Sequence, residues 1–445
     1  MTTTGPDGRP LRFGVFFAPF HPVGQSPTLA LEYDLERTVA LDRLGYDEVW
    51  FGEHHSGGYE LIGCPEVFIA AAAERTKHVH LGTGVVSLPY HHPWMVADRI
   101  NLLDHLTRGR VIFGTGPGAL PSDAYVMGIE PVEQRRMMEE SLEAILALWR
   151  DDEPVTRETD WFTLREARLQ MRPYTWPHPE VAAAAMVSPS GPRLAGRLGV
   201  SLLSLSMSVA EGFAAVGQAW GVVEEQAAKH GTPPPDRSTW RVLGTVHLAA
   251  TREQAIEECT YGLRDFAEYF GGGAGFVPLA NSVDGAPRSP RSYVEAYAES
   301  GNVVIGTPDD AVAYIEGLLE QSGGFGTFLL LGHDWASPAA TLESYRLFAR
   351  EVIPHFQGHL APPRASHDWA TAKRAELFGA AGHAILNAIT SHVEEKAADA
   401  ASADAASADA APADGTADGS TGDGSTADGS SGDGSASRAT PGTEA

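Results

Sequence analysis

Between Arg12 and about Gln357 the chain repeats one pattern, a short apolar run followed by a helical stretch, and this alternation restricts the fold more than any other feature. The runs are Arg12–Phe20, Asp47–His55, Val79–Leu88, Arg110–Gly114, Val181–Val187, Val200–Ser206, Trp240–Ala249 and Thr327–Gly332. Most are continuously apolar, as expected of parallel strands covered on both faces. Helical stretches with apolar residues at i, i+3 and i+4 separate them: Leu29–Leu44, Pro65–Thr76, Trp94–Leu106, Val132–Trp149, Pro192–Leu198, Ala210–His230, Arg252–Phe270 and Pro338–Phe356. Glycines such as Gly45, Gly109 and Gly199 follow several of them closely, where a helix can end in a left-handed residue. The pattern predicts a single (β/α)8 TIM barrel of the α/β class over residues 12–357.

Outside this rhythm, residues 1–11 are polar and expected to be disordered. Residues 271–302, rich in Gly, Pro, Ser and Asn, read as an insertion after strand seven, either a substrate lid or a solvated connector. Residues 358–396 form a C-terminal helical extension, with a helix predicted over Thr371–Glu395. Residues 397–445 are an Ala/Asp/Gly/Ser/Thr repeat without core-forming side chains, expected to be disordered.

Formal net charge is −26, and nine acids against one base lie from Ala397 onward. Such acidity argues against a nucleic-acid partner and against docking on an anionic membrane. The two cysteines, Cys64 and Cys259, support neither a disulfide framework nor a thiolate metal site. The N-terminus lacks the apolar core of a signal peptide, and no apolar run approaches the roughly 20 residues of a membrane span. A cytoplasmic protein is expected.

Barrel chemistry gathers at the C-terminal ends of strands. There the sequence places Glu53-His54-His55, then Tyr90-His91-His92-Pro93-Trp94, and finally His333-Asp334-Trp335. Histidine titrates near neutrality and suits proton transfer. A metal site is disfavoured, because adjacent histidines on a strand point to opposite sides; no metal is expected. Ser188-Pro189-Ser190-Gly191-Pro192 precedes a helix, where free N–H groups and hydroxyls suit a phosphate, although an ordinary capped helix has the same sequence. Gly114-Thr115-Gly116-Pro117-Gly118-Ala119 fits a dinucleotide fingerprint, but no helix opens directly after it. Close approach of backbone to a flat ligand is the better reading of that loop.

Together these segments resemble the luciferase-like, two-component flavin monooxygenases. The resemblance rests on Gly52-Glu53-His54-His55, Leu81 to Pro89 with His92-Pro93, Leu103-Asp104 with Gly109-Arg110, Ser188 to Gly191, and Gly306-Thr307-Pro308. The stretch Ala18 to Pro22 and the region of Trp335 are most similar to limonene-monooxygenase-type members. The resemblance implies His54 as the catalytic histidine beside the flavin–oxygen adduct, supported by Glu53 and His55. It implies a cofactor site at Gly84, Val85, Gly116, Arg135, Ser188, Ser190 and Gly191, with a cis peptide mapping to Gly84-Val85. The cofactor would be reduced FMN, with FAD possible, supplied by a separate flavin reductase; dioxygen and a small apolar organic substrate would be the reactants. Phe17, Phe20, Tyr90, Trp94 and Trp335 are candidates for the substrate pocket, although each also fits an ordinary core position. Gly116 stands where luciferase itself has a reactive cysteine, so light emission is not expected. Members commonly form homodimers. A deazaflavin-dependent hydride-transfer enzyme and a non-catalytic flavin-binding subunit are the alternatives on the same barrel.

Overall fold

The computed structural model describes residues 5–18, 20–150, 153–205, 210–269 and 289–408. The chain divides into two compact units, Met1–Ala365 and Ser366–Ala445. Strands in the first unit are β1 (Arg12–Phe17), β2 (Glu48–Phe51), β3 (His80–Thr83), β4 (Val86–Ser87), β5 (Val111–Gly116), β6 (Val155–Glu158), β7 (Thr163–Ala167), β8 (Glu180–Ala185), β9 (Ser201–Ser204), β10 (Arg241–Leu248), β11 (Val303–Gly306) and β12 (Thr327–Gly332).

Eight of them close a parallel barrel in the order β1-β2-β3-β5-β8-β9-β10-β12, with β12 pairing back to β1. Each of the eight predicted runs supplies one barrel strand. Helices follow the strands, many entered at a proline whose missing N–H costs nothing in the first turn, as at Pro27, Pro65, Pro93, Pro308 and Pro338.

Period-2 alternation along the strands divides the core into two layers. Phe13, Val15, Phe17, Val49 and Phe51 face the helices, packing with Leu41, Phe68, Ile100 and Phe348. Phe16, Trp50, Ile112, Ala182, Leu203, Leu243 and Leu329 fill the barrel interior. Trp50, fully buried, takes its space from Gly82, where a Cβ would come within 2.3 Å of the indole.

The N-terminal ends of the strands carry a buried ionic floor. Arg241 donates to both oxygens of Glu48 at 2.7 and 2.9 Å, and to Glu180 at 2.5 Å. The Trp50 indole N–H adds a bond of 3.0 Å to Glu48. Burial pushes the Glu48 carboxyl up, but Arg241 and Arg12 outweigh it and bring it down to about 2. Opposite sides of the barrel are thereby tied at one end, leaving the other end for chemistry.

The structure departs from the sequence reading in several places. Gly5 to Leu11, expected to be disordered, contains a 3-10 turn at Pro6–Gly8, and Leu11 is fully buried. β6 and β7 form an antiparallel hairpin, and β11 pairs with the C-terminal half of β10; neither was anticipated. A short helix, Pro121–Met127, does open after the glycine loop, but only beyond Leu120. The C-terminal helix spans Arg374–Ala408 and so passes Ala397, where disorder was expected to begin; residues 409–445 lie outside the described residues. Of the 271–302 insertion, 271–288 also lie outside them, and the rest holds the helix Pro290–Ala298.

Candidate active site

At the C-terminal end of β2 the chain turns outward as Gly52-Glu53-His54-His55, and two sets of carboxylates receive these side chains. His54 is half-buried between the buried carboxylates of Glu60 and Asp123: its Nε2 lies 2.6 Å from a Glu60 oxygen and its Nδ1 3.3 Å from Asp123 Oδ2. Burial works against charge on this ring, but Glu60 and Asp123 outweigh it and raise His54 from 6.5 to about 10. His54 is therefore an imidazolium at neutral pH. The expectation of a histidine titrating near 6.5 is corrected by these two neighbours.

Both neighbours are held in place. Asp123 accepts the His55 backbone N–H at 3.1 Å and the Ser56 hydroxyl at 2.5 Å. Glu60 sits on a loop pinned on either side by His21, whose backbone N–H donates to Tyr59 O at 2.8 Å and whose Nδ1 accepts from Leu61 N at 3.2 Å. His21 in turn bonds Asp34, which also pairs with Arg37.

Glu53 forms the second set. Its Oε1 lies 2.9 Å from His55 Nε2 and 2.5 Å from His91 Nε2, while Oε2 accepts the Ser87 N–H at 2.6 Å. Burial raises this carboxyl, yet the bonds from His55 and His91 hold it below the usual carboxylate range. The bond to Glu53 raises His55. One ligand atom from each of Glu53, His55 and His91 lies within 4.8 Å of the others, close enough for a metal ion. Because Glu53 Oε1 already contacts both imidazoles, the arrangement is complete as a hydrogen-bonded network.

The predicted cofactor positions fall around the same barrel end. The Gly84–Val85 peptide is cis, at the position the resemblance implied. β4 places Ser87 opposite Gly116, and a Cβ on Gly116 would meet Val85 Cγ2 at 2.4 Å. Ser188 and Ser190 hydroxyls stand 3.2 Å apart at the start of the helix Ser190–Leu198, whose N-cap residue is Pro189 and whose Ser190 N–H donates to the Ser188 hydroxyl at 3.3 Å. Gly191 packs that helix onto β8, since a Cβ there would lie 2.4 Å from Ala184 O. Arg135 is exposed in the first turn of the helix Gln134–Arg150.

The aromatic candidates divide. Phe20 stacks on Tyr59 and meets Phe266 and Tyr269, and Trp335 packs on His333, Phe266 and Tyr297, so these two wall the barrel end. Tyr90 joins the Glu53 side, its hydroxyl accepting from Gln134 at 3.1 Å. Phe17 does not face the interior: it stacks on Phe51 beneath the Arg37 guanidinium in the helix-facing layer, and Phe16, one residue earlier, takes the inward position. Trp94 is likewise directed away, its indole N–H donating to Arg168 O while the ring packs on the outer core. Of the other histidines, His92 is exposed at a helix start, and His333 is locked between Val246 O and Trp335 N. Burial drives His333 down to about 3, so it is neutral.

Glu60, Asp123, His91 and Phe16 are the residues that sequence reasoning did not assign. His91 and Phe16 lay inside segments already singled out; Glu60 and Asp123 come from loops whose course only the fold reveals.

The luciferase-like monooxygenase family matches residues 11–324 of this chain. The chain belongs to that family. Limonene 1,2-monooxygenase from Rhodococcus erythropolis is 46% identical over 352 residues, covering 79% of this chain and 88% of that protein. The 4-hydroxyprotoasukamycin monooxygenase of Streptomyces nodosus subsp. asukaensis is 42% identical, covering 82% and 98%. Among solved structures, the oxygenating constituent of 3,6-diketocamphane monooxygenase from Pseudomonas putida, a type II Baeyer–Villiger enzyme in complex with FMN, superposes with a TM-score of 0.63. It is 28% identical and covers 78% of this chain and 98% of its own. The fold and family make this luciferase-like chain a flavin-dependent monooxygenase.

Proposed function

We propose that the enzyme takes reduced FMN from a separate flavin reductase and inserts one atom of dioxygen into a small, largely apolar organic substrate. The observation that carries this reading is His54, only partly exposed and clamped between the Glu60 and Asp123 carboxylates, at a barrel end walled by Phe16, Phe20, Tyr59 and Trp335. Fixed positive charge in a water-poor, apolar enclosure stabilises negative charge developing on oxygen.

The residues fit a flavin. The first turn of the helix Ser190–Leu198, with the Ser188 and Ser190 hydroxyls, would hold the phosphate. Arg193 on that turn and Arg135 would supply positive charge. Gly116, without a side chain beside Val85, leaves a flat ligand room at the strand ends. Bound reduced flavin supplies the electrons that activate dioxygen. Glu60 and Asp123 keep the His54 proton in place, and the Glu53–His55–His91 network orients the ring nitrogens on its side of the barrel end. Phe20 and Trp335 exclude water and contact apolar substrate.

FMN is the cofactor of the 3,6-diketocamphane relative, and FAD binding is tested in parallel. A homodimer is supported by apolar side chains left exposed on the helices Pro65–Arg75 and Pro93–Thr107, namely Val67, Met95, Leu102 and Leu106. No helix among the described residues is long and apolar enough to cross a membrane, in keeping with the proposed cytoplasmic location.

The test is turnover of limonene and of a bicyclic ketone with reductase, NADH and 18O-labelled dioxygen. Product gaining a single labelled oxygen supports the reading. Flavin binding with no oxygenated product from either probe or from a wider panel of terpenes and ketones would support a non-catalytic subunit instead.

A further inference from the structure

His21 commits both ring nitrogens and its backbone N–H. The N–H donates to Tyr59 O at 2.8 Å, Nδ1 accepts from Leu61 N at 3.2 Å, and Nε2 lies 2.8 Å from Asp34 Oδ2. A backbone amide can only donate, so Nδ1 carries no proton and Nε2 carries the one that Asp34 accepts. With 4% of its surface exposed and both nitrogens occupied, His21 has none left for a bound substrate. Its influence passes through what it holds.

What it holds is Glu60. That residue lies between Tyr59 and Leu61, the two residues bonded to His21, and the next residue, Ile62, accepts from His54 N at 3.1 Å. Ahead of it Gly57 and Gly58 sit at φ of 84° and 80°, in the left-handed region, so the turn leading to Glu60 has no side chains of its own to anchor it. The two His21 bonds fix the backbone on both sides of the carboxylate.

Asp34 is costly where it stands. It is fully buried in the helix Pro27–Leu44, and a carboxylate there needs partners: His21 takes one oxygen and Arg37 the other. Burial pushes Asp34 up, but Arg37 and His21 outweigh it and hold it below the usual carboxylate range. Arg37 has a second partner in Asp334 at 2.8 Å, so losing the charge of Asp34 would not strand it. Asp34 stands among His21, Arg37, Tyr33 and Asp334, whereas Glu60 and Asp123 are the carboxylates beside His54. A change at Asp34 therefore reaches His54 through the Glu60 segment.

We propose that Asp34 and His21 are positioning residues for the active site: Asp34 fixes His21 with its proton on Nε2, Nδ1 then holds Leu61 N, and the clamped segment 59–61 keeps Glu60 against His54. The proposal rests on the functional reading only for the part that His54 plays in turnover.

The test is nitrogen NMR of the full-length protein with ring-labelled histidine. At neutral pH the wild-type His21 should carry its proton on Nε2. In Asp34→Asn the tautomer should reverse, because an amide offers one acceptor where the carboxylate offers two, and Arg37 claims it. The His54 midpoint should then fall by about one pKa unit or more as Glu60 loosens. His21→Leu should give the same fall, and His21→Asn, whose carbonyl oxygen can accept from Leu61 N in place of Nδ1, should restore most of it. Where His21→Leu does not fold, Asp34→Asn and His21→Asn carry the same comparison. A wild-type His21 protonated on Nδ1, or a His54 midpoint unmoved in Asp34→Asn, would overturn the proposal. These shifts in a protein that yields no oxygenated product would support the positioning role while the functional reading failed.

Discussion

Replacing Glu60 by Gln removes the charge nearest to His54 while keeping the shape of the side chain. With both carboxylates in place His54 stands at about 10 against an ordinary 6.5, a preference for the charged ring of roughly 5 kcal/mol. One opposite charge at this range accounts for about 1–3 pKa units, so His54 in Glu60→Gln should titrate between about 7 and 9. Asp123→Asn is the poorer choice, because Asp123 also accepts from His55 N and Ser56. The assay is NMR of ring-labelled histidine, with His54→Gln identifying the resonance, alongside the pH dependence of the single-turnover rate. Wild-type rate should be insensitive to His54 from pH 6.5 to 9. If the variant titrates near 8, its rate at pH 9 should be about tenfold below that at pH 7, the ratio following from the charged fraction. The linkage has a definite sign. A raised folded-state value means that the clamp's stabilisation is fully present below 6.5 and is lost as pH rises through about 10. A wild-type His54 midpoint near 6.5, or a midpoint unmoved by Glu60→Gln, would refute the reasoning.

Glu48→Ala, which strands Arg241 in the barrel floor, should cost about 3–5 kcal/mol in urea unfolding. In the wild type the Glu48 contribution should be present above about 4.5 and fade as pH falls toward 2, seen as a falling Tm. Ser188→Ala/Ser190→Ala should weaken reduced FMN by about tenfold or more while leaving riboflavin, which has no phosphate, unchanged in fluorescence titration. Elemental analysis of the purified protein should find no stoichiometric transition metal; one equivalent lost in Glu53→Ala would make Glu53, His55 and His91 a metal centre.

The barrel was legible because each strand, buried on both faces, is a run of apolar residues bounded by helical periodicity. The hairpin β6–β7 was not, since Val155–Glu158 is polar at three of its four positions and alternates only between half-buried and exposed. Phe16 and Phe17 show the limit at side-chain level: two neighbouring phenylalanines are equally apolar, and only the phase of the strand decides which faces the interior. The His54 segment was readable as a site, but not its charge state. That depends on Glu60 and Asp123, brought together by a glycine-containing loop and a short helix whose paths the sequence does not specify. Arg374–Ala408 continued past the expected boundary because alanine, the strongest helix former, dominates the start of the repeat.

The most direct test of the enzyme's assignment is rapid mixing of the anaerobic complex with reduced FMN against air-saturated buffer, followed by absorbance. A near-ultraviolet transient that outlives the oxidation of free reduced flavin, and decays faster with apolar substrate, is the predicted result. Oxidation indistinguishable from free flavin with both FMN and FAD, together with reduction of a bound deazaflavin by substrate without oxygen, would contradict it.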